Sequence, residues 1–556
     1  MSRLIKELDT KLTQINSTMS FEKNLNSMKL LPIQQKIFLV LSLLIFLANA
    51  STQENNTYPA FFIVLLTSFA LPVFSKKFRQ MFAKNFDLKI FFVLTVGIVL
   101  RLNYSLFGFL HLNYHGTYYL HSISRMLGFE EIPYGFTYNI FWYPLKYFIG
   151  LSSEKLFYSN LLLNIITAYL LSVLTFQWFK EKRIVLAITM LFILSPLQVA
   201  IAATESHFIL CSFFLIYLLL LNENKNEPII ASTLPFALAF MTFIRPGFFF
   251  IFPAYLFYTY RQKNLKKETF IYLSLAYFLM IIVPLSSALL TLKDVFLSNN
   301  SLLQSKPFET HLALNLFNPK YYFPAFPILV TFGIFFSFRK FSREKLFSLL
   351  PIIALVFIEA IIKHSYWHIS IYYQTMIEIM YFIFIGVFLL NVEKLGPKIK
   401  LLSYLLLLVL VIYQFASRIN IYNQKFDEQV ESQWTESVLP EIYRSKDVIF
   451  TSYNLNGDSE IFNPYLFYNE SLEVQSLVVL IDQVLDPAFL KNADMNFPGR
   501  KIFYRSLSVP DDLFAKIESE RGLQALKTYS FVFHQRFHSH IAEGSSVNVG
   551  FYLMTK

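Results

Sequence analysis

The chain is predicted to be an all-α polytopic membrane bundle of about 13 transmembrane helices followed by a C-terminal α/β extracytoplasmic domain. Three observations predict it. The 556 residues are 55% apolar and only 15% charged, with a mean hydropathy of +0.46, whereas soluble domains carry roughly a quarter charged residues. Apolar runs near the roughly 20 residues needed to cross a bilayer recur through the first three quarters of the chain. Basic residues gather in every second loop between those runs, which is how cytoplasmic loops are marked.

The apolar spans lie near 37–50, 59–75, 88–104, 153–179, 184–203, 206–221, 229–245, 247–260, 269–292, 325–338, 346–362, 375–391 and 401–416. The positive loops are Lys76–Lys89, Lys180–Arg183, Arg261–Lys267, Arg339–Lys345 and Lys394–Lys400. An odd number of spans then puts the N-terminus in the cytoplasm and the C-terminal tail outside, in a plasma or bacterial inner membrane. Residues 1–36 form a cytoplasmic N-terminal segment, 37–87 two accessory helices, and 88–416 the transmembrane core with a long outer loop at 105–152. The first span is read as a retained anchor; its end at Ala48-Asn49-Ala50 leaves a cleaved signal peptide as the alternative. The net charge of +11 is accounted for by the basic loops, so nucleic acid is not an expected partner.

In the long loop, Tyr118, Tyr119, His121, Ile123, Met126 and Leu127 can share helix faces, as in a helix lying along the membrane surface. The tail, 417–556, reads as mixed α/β. Its strands are expected at Asp447–Ser452, Ser476–Ile481, Lys501–Ser506, Thr528–Phe533 and Val547–Met554. A helix is expected at Asp511–Arg521, with Pro510 ahead of it and Gly522 behind. The single Cys211 sits in an apolar span, so there is neither a disulfide framework nor a Cys-based metal site. His534, His538 and His540 offer a metal site as the lesser alternative to a strand edge or solvated loop, since no carboxylate or thiol stands beside them; the cofactor stays open, a divalent metal being compatible but not indicated.

All ten histidines fall on the outer side or at outer span ends. The ionisable residues at those ends carry more information, because a charge in the bilayer interior costs about 2.5–3.5 kcal/mol and so faces a polar cavity or another charge. Glu205 and His207 occupy one outer turn, Arg245 a second, and Lys363, His364 and His368 a third; Arg101 ends the span 88–104. Together they suit an anionic lipid head group, with Arg245 forking onto a phosphate.

Taken in order, these features resemble the GT-C superfamily of membrane glycosyltransferases, which includes protein O-mannosyltransferases and the aminoarabinose transferase of lipid A. The resemblance covers roughly 88–415. It is carried by His115-Gly116-Thr117-Tyr118-Tyr119, Ile132-Pro133-Tyr134, Trp142-Tyr143-Pro144-Leu145, Thr204-Glu205, Phe243-Ile244-Arg245-Pro246-Gly247 and the stretch His364–Gln374. It implies a sugar moved from a polyprenyl-phosphate donor to a glycan, lipid or protein acceptor outside the cell. Arg245, with Lys363, His364 and His368, would hold the donor phosphate, and Glu205 would orient sugar or acceptor. Arg101, His207 and Tyr118 would stand close by.

The family's acidic residue early in the first outer loop is missing. The chain reads Leu112-Asn113-Tyr114-His115-Gly116 there and has no Asp between Asp87 and Asp294. Three possibilities stay open: His115 is the catalytic base, Glu130 or Glu131 folds back to serve, or the chain is a non-catalytic scaffold that binds a lipid carrier or a partner. A lipid-linked glycan transporter is disfavoured because no internal repeat is visible.

Overall fold

The structure, a computed structural model, describes residues 33–51, 58–85, 87–104, 123, 136–202, 208–224, 227–244, 268–282, 322, 325–340, 371–418, 427–453, 472, 474–506, 509–532 and 545–555. It is mostly helical, with one small sheet near the C-terminus. The helices are α1 (Ile33–Ser51), α2 (Tyr58–Phe74), α3 (Lys76–Asn85), α4 (Leu88–Tyr104), α5 (Phe136–Phe148), α6 (Ser153–Phe179), α7 (Lys182–Ile193), α8 (Pro196–Ala202), α9 (Phe208–Glu223) and α10 (Pro228–Ile244). After them come α11 (Glu268–Ile282), α12 (Ala325–Lys340), α13 (Ile371–Val392) and α14 (Pro397–Arg418).

Among the described residues three stretches are long and apolar enough to cross a membrane: Lys155–Phe179, Thr375–Val392 and Pro397–Ser417. The pair α7 and α8 passes the same test as one span bent by 57°. The shorter apolar helices α1, α9, α10, α11 and α12 fall on other expected spans. The span expected at 247–260 and the one at 346–362 lie outside the described residues.

Helix α6 is the hub, packed against α4, α7 and α9. Its start is capped by Ser152, whose side chain accepts the Lys155 amide. Helix α13 lies against α7, α8, α9 and α12. The α12–α13 contact is close because Gly333 has no side chain: a Cβ there would stand 2.1 Å from the Phe384 carbonyl oxygen. Close backbone approach at a small residue is how helices gain contact where lipid supplies no hydrophobic drive. Helix α14 is different, with little of its apolar stretch buried; Leu401, Leu402, Leu405, Leu406, Val409 and Ile412 are exposed.

The tail carries α15 (Asp427–Ile442), β1 (Val448–Tyr453), β2 (Gln475–Leu480), α16 (Ile481–Leu485), α17 (Pro487–Asn496), β3 (Lys501–Arg505), α18 (Asp511–Arg521), β4 (Leu523–Val532) and β5 (Ser546–Met554). The sheet order is β2-β1-β3-β5-β4. Strands β1, β2 and β3 are parallel, and β5 is antiparallel to both β3 and β4. Alternate residues face opposite layers. Ile449, Ile502 and Tyr504 pack under α15 with Leu439 and Ile442, while Val448, Phe450 and Phe503 pack with Phe514 and Ile517 of α18. Helix α18 has the expected bounds, with Pro510 at its N-cap and Gly522 left-handed at φ 58° after its end.

Two expectations change, and one segment gains detail. The span expected as one run at 184–203 is two helices meeting at Leu194–Ser195. The strand expected at Thr528–Phe533 begins at Leu523; a register shift between Ala525 and Lys527 interrupts the alternation that would reveal its first half. The second part of the loop at 105–152 is a helix that joins the bundle. Helix α5 packs on α2 and α10, and Tyr138, Asn139 and Ile140 are fully buried while Tyr147 and Phe148 are exposed. Of the residues expected to form a surface helix, Ile123 is buried, and Tyr118, Tyr119, His121, Met126 and Leu127 lie outside the described residues.

Candidate functional site

The break between α7 and α8 is written in Ser195-Pro196-Leu197-Gln198. Proline has no N–H to donate and suits the first turn of a new helix. The Ser195 hydroxyl accepts the Gln198 amide at 3.2 Å, the first arm of a capping box. In a full box the residue at Gln198 would reach back to the Ser195 amide. Here its side chain instead crosses to α13.

That crossing is one link in a chain of buried polar groups. Arg101 of α4 is 0% exposed. Its Nε donates to Asn164 Oδ1 of α6 at 2.9 Å. Its Nη1 donates to the Gly97 carbonyl at 3.2 Å and to the Ile193 carbonyl at 3.3 Å. Ile193 ends α7, so the guanidinium occupies a carbonyl that the helix break releases, at the negative end of that helix. Asn164 Nδ2 donates to Gln198 Oε1 at 3.3 Å. Gln198 Nε2 donates to the Thr375 carbonyl at 2.9 Å and to Glu378 Oε2 at 3.2 Å. Ser195 Oγ donates to the same Glu378 oxygen at 2.7 Å.

The chain thus runs Arg101–Asn164–Gln198–Glu378 and ties four parts of the bundle at one level. A guanidinium and a carboxyl group, each almost wholly buried, are joined through two neutral amides and do not touch in an ion pair. Buried charges need such hydrogen bonding, because desolvation of each costs several kcal/mol. One donor, Arg101 Nη2, has no partner among the described residues. Glu378 and Ser195 also line a small cleft of about 20 Å³, together with Gln414 and apolar side chains of α7, α12, α13 and α14.

Arg101, expected near the outer end of its span as an accessory to the site, is therefore a fully buried member of this chain. The other residues singled out from sequence, His115, Tyr118, Glu130, Glu131, Glu205, His207, Arg245, Lys363, His364 and His368, lie outside the described residues. Their neighbours in sequence are described. Glu205 follows Ala202, the last residue of α8, by three positions. Arg245 directly follows Ile244, the end of α10. His368 precedes Ile371, the start of α13, by three positions. Among the described residues no group of three His, Cys, Asp or Glu side chains could hold a metal ion.

Sequence reasoning missed Asn164, Ser195, Gln198 and Glu378. Glu378 could have been found as an acid within an otherwise apolar span, Met376-Ile377-Glu378-Ile379-Met380. Ser195 and Gln198 could have been found as a capping signature inside an apolar run. Asn164 had no comparable signal, since it is one of three amides, with Asn160 and Gln177, in a 27-residue helix and reads as a tolerated polar residue. No protein-family model matches the chain, and no curated protein matches it at a significant level.

Proposed function

We propose that this protein is a membrane glycosyltransferase that moves a sugar from a polyprenyl-phosphate-linked donor to an extracytoplasmic glycan, lipid or protein acceptor. In this reading the chain crosses a plasma or bacterial inner membrane about 13 times, with the N-terminus in the cytoplasm and the tail domain outside. Arg245, with Lys363, His364 or His368, holds the donor phosphate and stabilises it as it leaves. His115, or Glu130 or Glu131, deprotonates the acceptor hydroxyl, and Glu205 orients sugar or acceptor.

The observation that carries the reading is the buried chain from Arg101 to Glu378. It fastens together α4, α8 and α13. Helix α8 leads within three residues to Glu205, and α13 follows His364 and His368. A catalytic site needs such anchors, because its groups must be held to within about 0.5 Å. In this reading Arg101 anchors those helices and does not contact the donor.

A second reading, a non-catalytic scaffold that binds the lipid carrier or a partner, is favoured by one feature: the early part of the first loop has no acid. Transfer of radiolabelled sugar from lipid-linked donors separates the two, measured in membranes of a deletion strain complemented with wild type, Arg245→Ala or His115→Ala. The glycosyltransferase reading expects transfer by wild type, and loss of at least 100-fold in Arg245→Ala at equal expression, the size expected for an oxyanion-stabilising group. Loss in His115→Ala as well identifies the base. Carrier binding without transfer by wild type establishes the scaffold instead.

A further inference from the structure

Three of the basic loops meet at one end of the bundle. Lys182, at the start of α7, pairs with Asp87 at 3.2 Å and so joins the turn after α6 to the junction of α3 and α4. Asn85 of α3 donates to the Ser172 hydroxyl of α6 at 2.7 Å. Asn224, just past α9, contacts the Met81 sulfur at 3.4 Å. The turn between α13 and α14 lies close by, since a Cβ on Gly386 would stand 3.0 Å from the Phe179 ring that closes α6. Helix α3 packs on α2 and α6 at this end. Its ten residues hold four cations and no acid. Phe78, Met81 and Asn85 are buried at helical spacing, and Lys76, Lys77, Arg79 and Lys84 are exposed.

We propose that the exposed face of α3 binds the phosphate of an anionic phospholipid in the leaflet that borders this end of the bundle. Two observations set the partner's chemistry. The first is charge: four exposed cations spread over about 12 Å of helix, where Arg79 can fork onto a phosphate and the lysines add point charges. The second is what flanks them. Val73 and Phe74 end α2, Leu88, Phe91 and Phe92 open α4, and all five are exposed. Exposed apolar surface on both sides of the basic helix suits a molecule with acyl chains beneath a charged head, and neither free phosphate nor a nucleic acid. A helix that floats on a bilayer buries its apolar face in lipid. Helix α3 instead buries Phe78 and Met81 in the bundle core, so its cations are held in place before a lipid arrives. The inference rests on the membrane reading of the apolar helices and not on sugar transfer.

The test uses the full-length protein in phosphatidylcholine nanodiscs that carry a trace of a photoactivatable lipid, either phosphatidylglycerol or phosphatidylcholine, with the reactive group close to the glycerol. Labelled positions are mapped by peptide mass spectrometry. The expected result is labelling between Val73 and Phe92 that is at least about tenfold stronger with phosphatidylglycerol, since each cation near an anionic lipid is worth about fivefold. Combining Lys76→Gln, Lys77→Gln, Arg79→Gln and Lys84→Gln lowers it to the phosphatidylcholine level. Lys394→Gln with Lys398→Gln, at the same end, leaves it unchanged. Equal labelling by the two heads, a preference that survives the α3 variant, or an equal loss in both variants overturns the proposal. So does a preference abolished by millimolar inorganic phosphate, which would mark a site for free anions. Should the α3 variant yield no folded protein, competition on the wild type decides. Unlabelled phosphatidylglycerol, at a tenth of the lipid, must remove the phosphatidylglycerol labelling that phosphatidylethanolamine leaves; equal removal overturns the proposal. Failure to enter nanodiscs overturns the membrane reading and the proposal with it, whereas equal labelling overturns the proposal alone.

Discussion

The bundle and the tail domain solve the same problem, a buried charge, in opposite ways. In the tail, Asp447 and Arg500 meet directly: Arg500 Nη2 lies 2.6 Å from Asp447 Oδ2, and the carboxylate also takes the Arg444 and Arg500 amides. The Asp447 side chain is 3% exposed, but Arg500 keeps 25%, so water still solvates one end of the pair. In the bundle, Arg101 and Glu378 are both buried and never touch. Two amides, Asn164 and Gln198, carry the polarity between them. The difference shows what the surroundings demand. Where water is near, a pair fixes a loop to a strand. Where it is absent, every donor needs an acceptor, and neutral amides spread the cost over several helices.

The tail holds a second buried charge contact. The Tyr504 hydroxyl donates to Glu431 Oε1 at 2.7 Å, across from β3 to α15. Burial first, and the Glu431 charge second, push the Tyr504 phenol well above its ordinary pKa. The phenol therefore stays protonated as a donor at any physiological pH.

The largest effect expected from breaking this comparison is at Arg101. Arg101→Ala leaves Asn164 and the Ile193 carbonyl without their donor, and removal of one member of a buried charged network costs about 3–5 kcal/mol. It should abolish or sharply lower the monodisperse peak of the solubilised protein on size exclusion. Arg101→Met combined with Glu378→Met should lose less than the sum of the single changes, because neither charge is then left alone. A fully additive result would mean that the two charges are not coupled through the amides.

A smaller effect is expected at Asp447. Asp447→Ala strands Arg500, but that side chain can turn toward water, so a loss of about 2–3 kcal/mol is expected, below the range for fully buried pairs. Limited proteolysis should then cut within the tail while Lys155–Phe179 stays protected. Equal loss of protection in the bundle would show that the two regions fold as one unit.

The smallest effect is at the junction of α3 and α4. Asp87 caps α4 by accepting the Lys89 amide at 2.9 Å and pairs with Lys182 at 3.2 Å. The Lys89 amide, and then Lys182, hold the Asp87 carboxyl below its ordinary value. A folded pKa that is depressed stabilises the fold above the unfolded value of 3.8, and that contribution is lost as the pH falls through the folded value. Lys182 is 63% exposed, so Asp87→Asn should cost only about 0.5 kcal/mol near neutral pH. Once the pH is below the folded value, the variant and wild type should melt together.

The two regions also differ in how much of them could be read beforehand. In the tail, short β-branched and aromatic runs placed strands at Asp447–Ser452 and Lys501–Ser506, within a residue of β1 and β3, and Pro510 and Gly522 bracketed α18. Helices α15, α16 and α17 were not expected, and β4 begins five residues before the expected strand, where the bulge at Ala525 shifts the alternation. In the apolar part, mean hydropathy gives spans but cannot distinguish a face turned to lipid from one turned to protein, since both are apolar. Helices α6 and α14 read alike; one is largely buried and the other largely exposed.

The amino-acid sequence by itself determined that apolar helices long enough to cross a membrane precede an α/β sheet domain, because hydropathy and alternation are local properties of a chain. It also held, in Ser195-Pro196-Leu197-Gln198, the reason one span breaks. Only the tertiary structure decided that the break is filled by Arg101, 92 positions away from Ile193, and that Glu378 meets Ser195 across 183 positions. Partners so far apart leave no periodic trace. They are chosen by which helices pack together, and in an apolar bundle the few buried polar groups then have only one another to bond.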